Sequence, residues 1–401
     1  MDIRLPPTGT EAHVWGLNPE IVFLNHGSFG ACPLAVLEKQ AELRRRMEAE
    51  PVRFFVRELQ DLLDEARSEL ATFVGADPEG LAFVSNATTG VNTVLASLDF
   101  GPGDELLVTN HEYNACRNAL NARAVRAEAR VVEAVIPFPL KSNDAVIEAV
   151  LARVTPRTRL ALVDHVTSQT GIVLPIAELT DELENRGIAV LIDGAHAPGM
   201  LDLKVDDLGA SFYTGNCHKW LCAPKGAAFL WVRKDHRNRI HPLTISHGAN
   251  APLGRQSRFH LEFDWVGTDD PTAFLSVPTA LRTVGALAEG GWPEVRVRNR
   301  ALALYGRRIL CEQLGIEPPC PDSMIGSLAA IPLPDGSPEP PTSPLYCDPL
   351  QDELLFRHGV EVPVIPWPAP PKRLLRISAQ LYNSEEQYRY LAEALGSLIG
   401  A

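Results

Sequence analysis

Through the first two thirds of the chain, short apolar runs alternate with longer stretches whose apolar positions recur at helical spacing. The short runs predict strands at 81–85, 105–109, 130–134, 160–163, 189–192, 211–214 and 227–232. Helical patterns fall between several of them, at 91–98, 114–127, 147–154 and 176–186. Strands separated by helices need crossover connections, which make a mostly parallel sheet covered on both faces. Ligands of such sheets bind at the carboxyl ends of the strands. Further on, a helical region at 278–314 is interrupted near 290–293, and a Pro-rich loop follows at 332–349. A strand pattern at 373–378 and a charged helix at 384–399 end the chain. The expected architecture is α/β. It has an arm at 1–24, a large domain at 25–277 built on a mixed, mostly parallel seven-stranded sheet, and a smaller α+β domain at 278–401.

Composition narrows the function. With 401 residues, 45% hydrophobic and 22% charged, the chain reads as an ordinary globular protein of two or three domains. A net charge of −13 without any Lys/Arg-rich run argues against nucleic acid or an anionic membrane as partner. The first residues carry no basic flank before an apolar run, and no segment reaches the ~20 apolar residues of a membrane span. The seven cysteines are odd in number, scattered and free of C-x-x-C pairs. Neither a metal site nor a disulfide framework is expected, and a cytoplasmic location fits.

Three motifs sit just after predicted strands. Asn86-Ala87-Thr88-Thr89-Gly90 opens a helix, where free N–H groups and the helix dipole favour an anion; taken alone, it reads more simply as an ordinary N-cap. Asp193-Gly194-Ala195-His196 places a carboxylate where it could pair with a protonated heterocycle. Asn216-Cys217-His218-Lys219-Trp220 sets a lysine among apolar neighbours, and burial of that kind makes a competent imine-forming nucleophile. Cys217 and Cys222 flank it without a further ligand pair and read as packing.

An Asp at one strand end, a His-Lys with the lysine 26 residues later, and an upstream Thr-rich turn resemble the layout of fold-type I pyridoxal 5'-phosphate (PLP) enzymes. The segments Leu24-Asn25-His26-Gly27-Ser28-Phe29-Gly30, Asp193 to Gly199, His218-Lys219-Trp220-Leu221 and Leu375-Arg376-Ile377-Ser378 are similar to the class V aminotransferase superfamily, within it to the isopenicillin N epimerase-like subgroup. The resemblance spans essentially the whole chain. It implies that Lys219 carries PLP as a Schiff base and exchanges the Cα proton, that Asp193 holds the pyridine nitrogen protonated, and that His196 bonds the phenolic oxygen. Ala87 (through its N–H), Thr88, Asn216 and His218 match phosphate ligands. Thr268 matches a residue reaching the phosphate from a neighbouring subunit, which implies a homodimer with sites at its interface. Arg376 matches the arginine that grips a substrate carboxylate, and Asn25, His26 and Ser28 are expected at the substrate entrance. Tyr113 is preferred over His111 as the side chain stacked on the ring. Ser168 and Gln169 are candidate contacts to the cofactor oxygen or the substrate, with Ser168 at a position often held by Asn.

The scaffold fixes the cofactor and leaves the reaction open. A desulfurase needs a cysteine on the loop before the carboxylate-binding arginine; residues 357–372 contain none, and Cys347 lies earlier. Epimerisation needs a proton donor on each face, for which Lys219 and Tyr113 are the candidates. A β-eliminating C–S lyase would use the same residues, and transamination is a third chemistry the site permits. A catalytically dead PLP-fold binding protein is disfavoured by the intact Lys219, Asp193 and Arg376.

Overall fold

The computed structural model describes residues 5–340, 343 and 348–400. Cys347 and part of the Pro-rich loop lie outside them. The twelve strands among these residues are Val22–Phe23 (β1), Leu81–Val84 (β2), Glu105–Thr109 (β3), Arg130–Ala134 (β4), Thr158–Asp164 (β5), Ala189–Asp193 (β6), Phe212–Asn216 (β7), Ala228–Val232 (β8), Leu328–Leu333 (β9), Val360–Glu361 (β10), Val364–Pro366 (β11) and Arg373–Ser378 (β12).

Seven of them form one sheet in the order β2-β8-β7-β6-β5-β3-β4. All run the same way except β8, which is antiparallel to both neighbours. The reason is local: residues 217–227 link β7 to β8, too short a connection for a covered crossover, so the chain turns back as a hairpin. That hairpin loop carries Lys219.

Alternate side chains of each strand enter different cores, as the two-residue period requires. Leu106, Val108, Leu160, Leu162 and Leu191 join one cluster, with Val91 and Val94 of the helix Ala87–Ser97. Leu107, Ala161, Val163, Val190 and Ile192 join another on the opposite face. The interior strands β3, β7 and β8 are therefore buried at every position, while β4, an edge strand, alternates buried Val132 and Ala134 with half-buried Val131 and Glu133.

Two 16-residue helices, Leu34–Ala49 and Leu59–Val74, are absent from the elements that the hydrophobic pattern picks out. The first is rich in charge and buries only Val36, Gln40, Leu43 and Met47, so its apolar stripe is thin. The helical region after residue 277 divides into Val277–Gly285 and Gly291–Leu314.

A second sheet, β11-β12-β9, is antiparallel and packs on Gly291–Leu314. The N-terminal strand β1 pairs in parallel with β10, stitching the arm to the C-terminal part of the chain. This brings the segment 24–30 against β12 on one side and the Lys219 loop on the other. Leu24 O accepts from Ser378 N–H, Gly27 N–H donates to Ser378 Oγ, and His26 reaches Lys219 O. Among the described residues no helix is long and apolar enough to cross a membrane.

Candidate active site

The loop bearing Lys219 is fixed from several directions. Cys217 N–H donates to Ala227 O, and Ala223 N–H donates to Cys217 O. Cys222 takes a left-handed backbone with φ 59°, which a non-glycine residue adopts only under firm local constraint. Gly30, at φ +69°, lies so close beneath the loop that a Cβ there would meet His218 O at 2.0 Å. Lys219 Nζ ends 3.0 Å from His196 Nε2 and makes no ion pair among the described residues. Burial, and then the positive charge of Arg376, lower its pKa to about 7, so much of it is neutral amine at neutral pH.

His196 is itself oriented. Trp220 Nε1 donates to His196 Nδ1 at 3.3 Å, which assigns the imidazole proton to Nε2, the atom facing Lys219. Burial and nearby Lys219 hold the ring well below its usual pKa, hence neutral.

Asp193, at the end of β6, is 2% exposed. Cys116 Sγ donates to its Oδ2 at 3.1 Å and Ala195 N–H to its Oδ1 at 2.9 Å. Burial pushes its pKa up, against those bonds and the charge of Lys219. A buried carboxyl with no cation bonded to it among the described residues, near an amine of lowered pKa, is a site made for a positively charged ring nitrogen. These residues fit PLP.

The phosphate turn departs from expectation at one point. Ala87 N–H donates to Asn216 Oδ1 at 2.8 Å, so the donor assigned to a phosphate is already used, and Asn216 acts as its partner. Thr89 N–H is taken by the N-cap Asn86 and Gly90 N–H by Asn86 O. Thr88 N–H, in the first turn of the helix, has no partner among the described residues. His218 keeps Nδ1 on Ala227 O at 3.2 Å, leaving Nε2 outward. Thr268 is exposed on the loop that the Arg44–Asp270 ion pair anchors, and it bonds none of the other candidates within the chain.

On the substrate side, Arg376 in β12 is 4% exposed. Its Nη1 donates to Ser168 O and its Nη2 to Ser28 Oγ, both at 2.7 Å, while Nε has no partner among the described residues. Burial lowers its pKa to about 10, which leaves it a cation at neutral pH. Ser28 Oγ in turn donates to Asn25 Oδ1 at 2.5 Å, and Asn25 Nδ2 to Glu361 Oε1 at 2.9 Å. Asn25 and Ser28 thus brace Arg376. His26 departs from the expected entrance position: it is fully buried, bonded to Tyr382 OH and Lys219 O, and driven by burial to a pKa of about 3. It supports the lysine loop as a neutral spacer.

Tyr113 and His111 separate cleanly. His111 is 1% exposed, its Nδ1 is 2.8 Å from Thr170 Oγ1, and its ring packs on Trp367. Tyr113 is 44% exposed, and its hydroxyl senses Asp193 and Arg376. The sequence pattern assigns no role to Trp220, Cys116, Thr170 or Trp367. Of these only Trp220 carried a signal, its place beside Lys219.

This geometry belongs with a known family: residues 22–285 match the model of the aminotransferase class-V family, and the chain is a member of it with PLP as cofactor. Over 95% of its length it is 37% identical to an isopenicillin N epimerase of Amycolatopsis lactamdurans, covering 96% of that protein. It is also 30% identical over 95% of its length to a probable chloroplastic L-cysteine desulfhydrase of Arabidopsis thaliana, covering 84% of it. Its fold matches that of a C-DES mutant with glycine covalently linked to the PLP cofactor, with TM-score 0.80, 22% identity and coverage of 96% and 98% of the two chains.

Proposed function

We propose that this enzyme inverts the configuration at Cα of an amino acid, in the manner of an epimerase. The observation that carries the reading is the pairing of a partly neutral Lys219 with an open Tyr113 hydroxyl, both within the field of Asp193 and Arg376. Similarity to the isopenicillin N epimerase supports it. PLP, when bound, supplies an electron sink for the charge left at Cα. Arg376, braced by Ser28 and Ser168, binds the substrate carboxylate through its planar fork. Asp193 keeps the ring nitrogen protonated, and His196 offers its Nε2 proton to the phenolic oxygen. Lys219 takes the Cα proton on one face, and Tyr113 delivers one on the other. Thr88, Asn216 and His218 hold the phosphate, with Thr268 of a second copy completing a homodimeric site. Exposed apolar side chains such as Phe29, Leu34, Leu37, Val52 and Val56 support that assembly.

The second reading is C–S β-elimination, supported by the likeness to the desulfhydrase. Desulfurase chemistry is not proposed, because the segment before Arg376 packs Trp367 on His111 and offers no thiol among its described residues. Incubating the holoenzyme with L-amino acids and cysteine conjugates in D₂O separates the readings. Deuterium at Cα with loss of chirality supports epimerisation; pyruvate and ammonia without inversion would replace it with elimination.

A further inference from the structure

Behind Asp193 lies a group of buried acids that the reaction above leaves without a role. Asp164 and Asp193 are register partners on the adjacent parallel strands β5 and β6, so their side chains leave the same face of the sheet. Glu112 enters from the loop after β3, and its carboxyl, the Cys116 thiol and the Asp193 carboxyl lie within 4.8 Å of one another. Those three could hold a cation only by drawing Asp193 away from the cofactor. Glu112 is 4% exposed and Asp164 2%. Their carboxyls lie within hydrogen-bonding reach of each other. Yet neither Glu112 oxygen, nor Asp164 Oδ2, has a hydrogen-bond partner among the described residues when both acids are ionised.

Two ionised carboxylates in contact, shielded from water, are strongly disfavoured. A single proton removes the conflict, because it turns the contact into a charge-assisted O–H···O⁻ bond and satisfies acceptors that are otherwise orphaned. The surroundings decide where it sits. Glu112 faces Asp164 and Asp193 and is raised well above its usual pKa, by burial first and then by their charges. Asp164 is also raised, by burial first and then by the charge of Asp193, but its contact with Glu112 draws it back toward ionisation. The other titratable groups nearby do not supply a compensating charge. Cys116 is kept a thiol by burial, His165 beside Asp164 is neutral with a pKa of about 4, and Tyr213, which bonds His165, is held protonated. Tyr113 is raised too, and Arg376 lies on the substrate side.

We propose that Glu112 and Asp164 share one proton, carried on Glu112, and that the single negative charge left on the pair reinforces Asp193 as counter-charge to the ring nitrogen of PLP. The pair acts through Asp193, so its members are positioning residues. The inference rests on Asp193 facing that nitrogen. A second negative charge behind the first makes the ring nitrogen harder to deprotonate and the electron sink deeper, whichever reaction follows at Cα.

The test uses holoenzyme and two variants, Glu112→Gln alone and Glu112→Gln combined with Asp164→Asn. The first replaces the O–H donor by an amide N–H and keeps the charge; the second removes the charge. Infrared difference spectra of wild type against Glu112→Gln near neutral pH should show the carbonyl band of a protonated carboxylic acid, shifted in D₂O. The pH midpoint of the visible absorbance of lysine-bound PLP should stay within a few tenths of a unit in Glu112→Gln. In the double variant it should fall by about one unit, a tenfold loss of proton affinity. Absence of the infrared band overturns the shared proton, and this arm stands even if the double variant fails to fold. A midpoint shift in Glu112→Gln as large as in the double variant also overturns it. The band present with both midpoints unchanged overturns the counter-charge role; Asp193→Asn, read by the same midpoint, tests separately whether Asp193 faces the ring nitrogen.

Discussion

Arg376 Nη2 donates to Ser28 Oγ at 2.7 Å, joining a strand near the C-terminus to a turn near the N-terminus across 348 residues of sequence. The guanidinium is thereby aimed before any substrate arrives, which is how a planar fork gains specificity for a carboxylate. Replacing Ser28 by Ala removes one such bond, worth about 0.5–1.5 kcal/mol, and should raise KM for the amino acid about 2- to 12-fold. Arg376→Ala removes the charge-assisted contact itself, about 1.5–3 kcal/mol, and should raise KM about 10- to 150-fold. PLP retention should change little in either variant. Equal weakening of cofactor and substrate would make Arg376 a structural residue.

The lowered pKa of Lys219 has a direct kinetic signature. Only the neutral amine attacks an aldehyde, so the rate of PLP capture by cofactor-free protein should rise with pH through about 7 and then level off. An unperturbed lysine would keep gaining rate toward pH ~10.4. Lys219→Ala should abolish the borohydride-reducible lysine–PLP adduct detected by mass spectrometry while leaving the far-UV spectrum intact. An adduct surviving in that variant would mean another lysine carries the cofactor.

Much of this site was legible because its residues sit at strand ends. Strands at 105–109, 130–134 and 373–378 follow from their β-branched and apolar runs, and the motif residues Asp193, Asn216 and Lys219 come directly after such runs. What one sequence pattern does not encode is who satisfies whom. Ala87 N–H goes to Asn216, 129 residues away, because both meet only once the helix Ala87–Ser97 lies against β7. His26 is expected at the entrance only through the resemblance of residues 24–30 to the class V family. The pairing of β1 with β10 instead folds that segment beneath the lysine loop. Asp164 was silent for the same reason: a lone acid at a strand end has meaning only beside Asp193 and Glu112.

Burying Glu112 also has a thermodynamic consequence with a definite sign. Its folded pKa is raised above the unfolded value near 4.3, so the folded state binds more protons, and stability falls as pH climbs above that value. Glu112→Gln removes this dependence. The variant's thermal midpoint should gain on wild type between pH 5 and pH 8, compared in holoenzymes. A gain that is larger at pH 5 than at pH 8 would contradict the raised pKa.

Tyr113→Phe divides the two reactions that the same residues could perform. The ring would remain 44% exposed on its loop, so PLP binding and imine formation should persist. What is lost is a hydroxyl whose pKa is raised by burial and by Asp193, and which is therefore protonated and able to donate at neutral pH. His111 is the weaker candidate, because burial holds it neutral with a pKa of about 4 and its Nδ1 is engaged with Thr170, but its Nε2 has no partner among the described residues. In an epimerase, Lys219 should still exchange the Cα proton on its own face, while inversion falls about 10²- to 10⁴-fold, the range for loss of one positioned acid. Exchange would then run without racemisation, read as deuterium uptake with retained optical rotation. In a lyase, exchange should also persist, and elimination should slow most for the leaving groups that most need a proton. Unchanged inversion in Tyr113→Phe would refute the two-base assignment and hand the second proton to His111 Nε2 or to bound water.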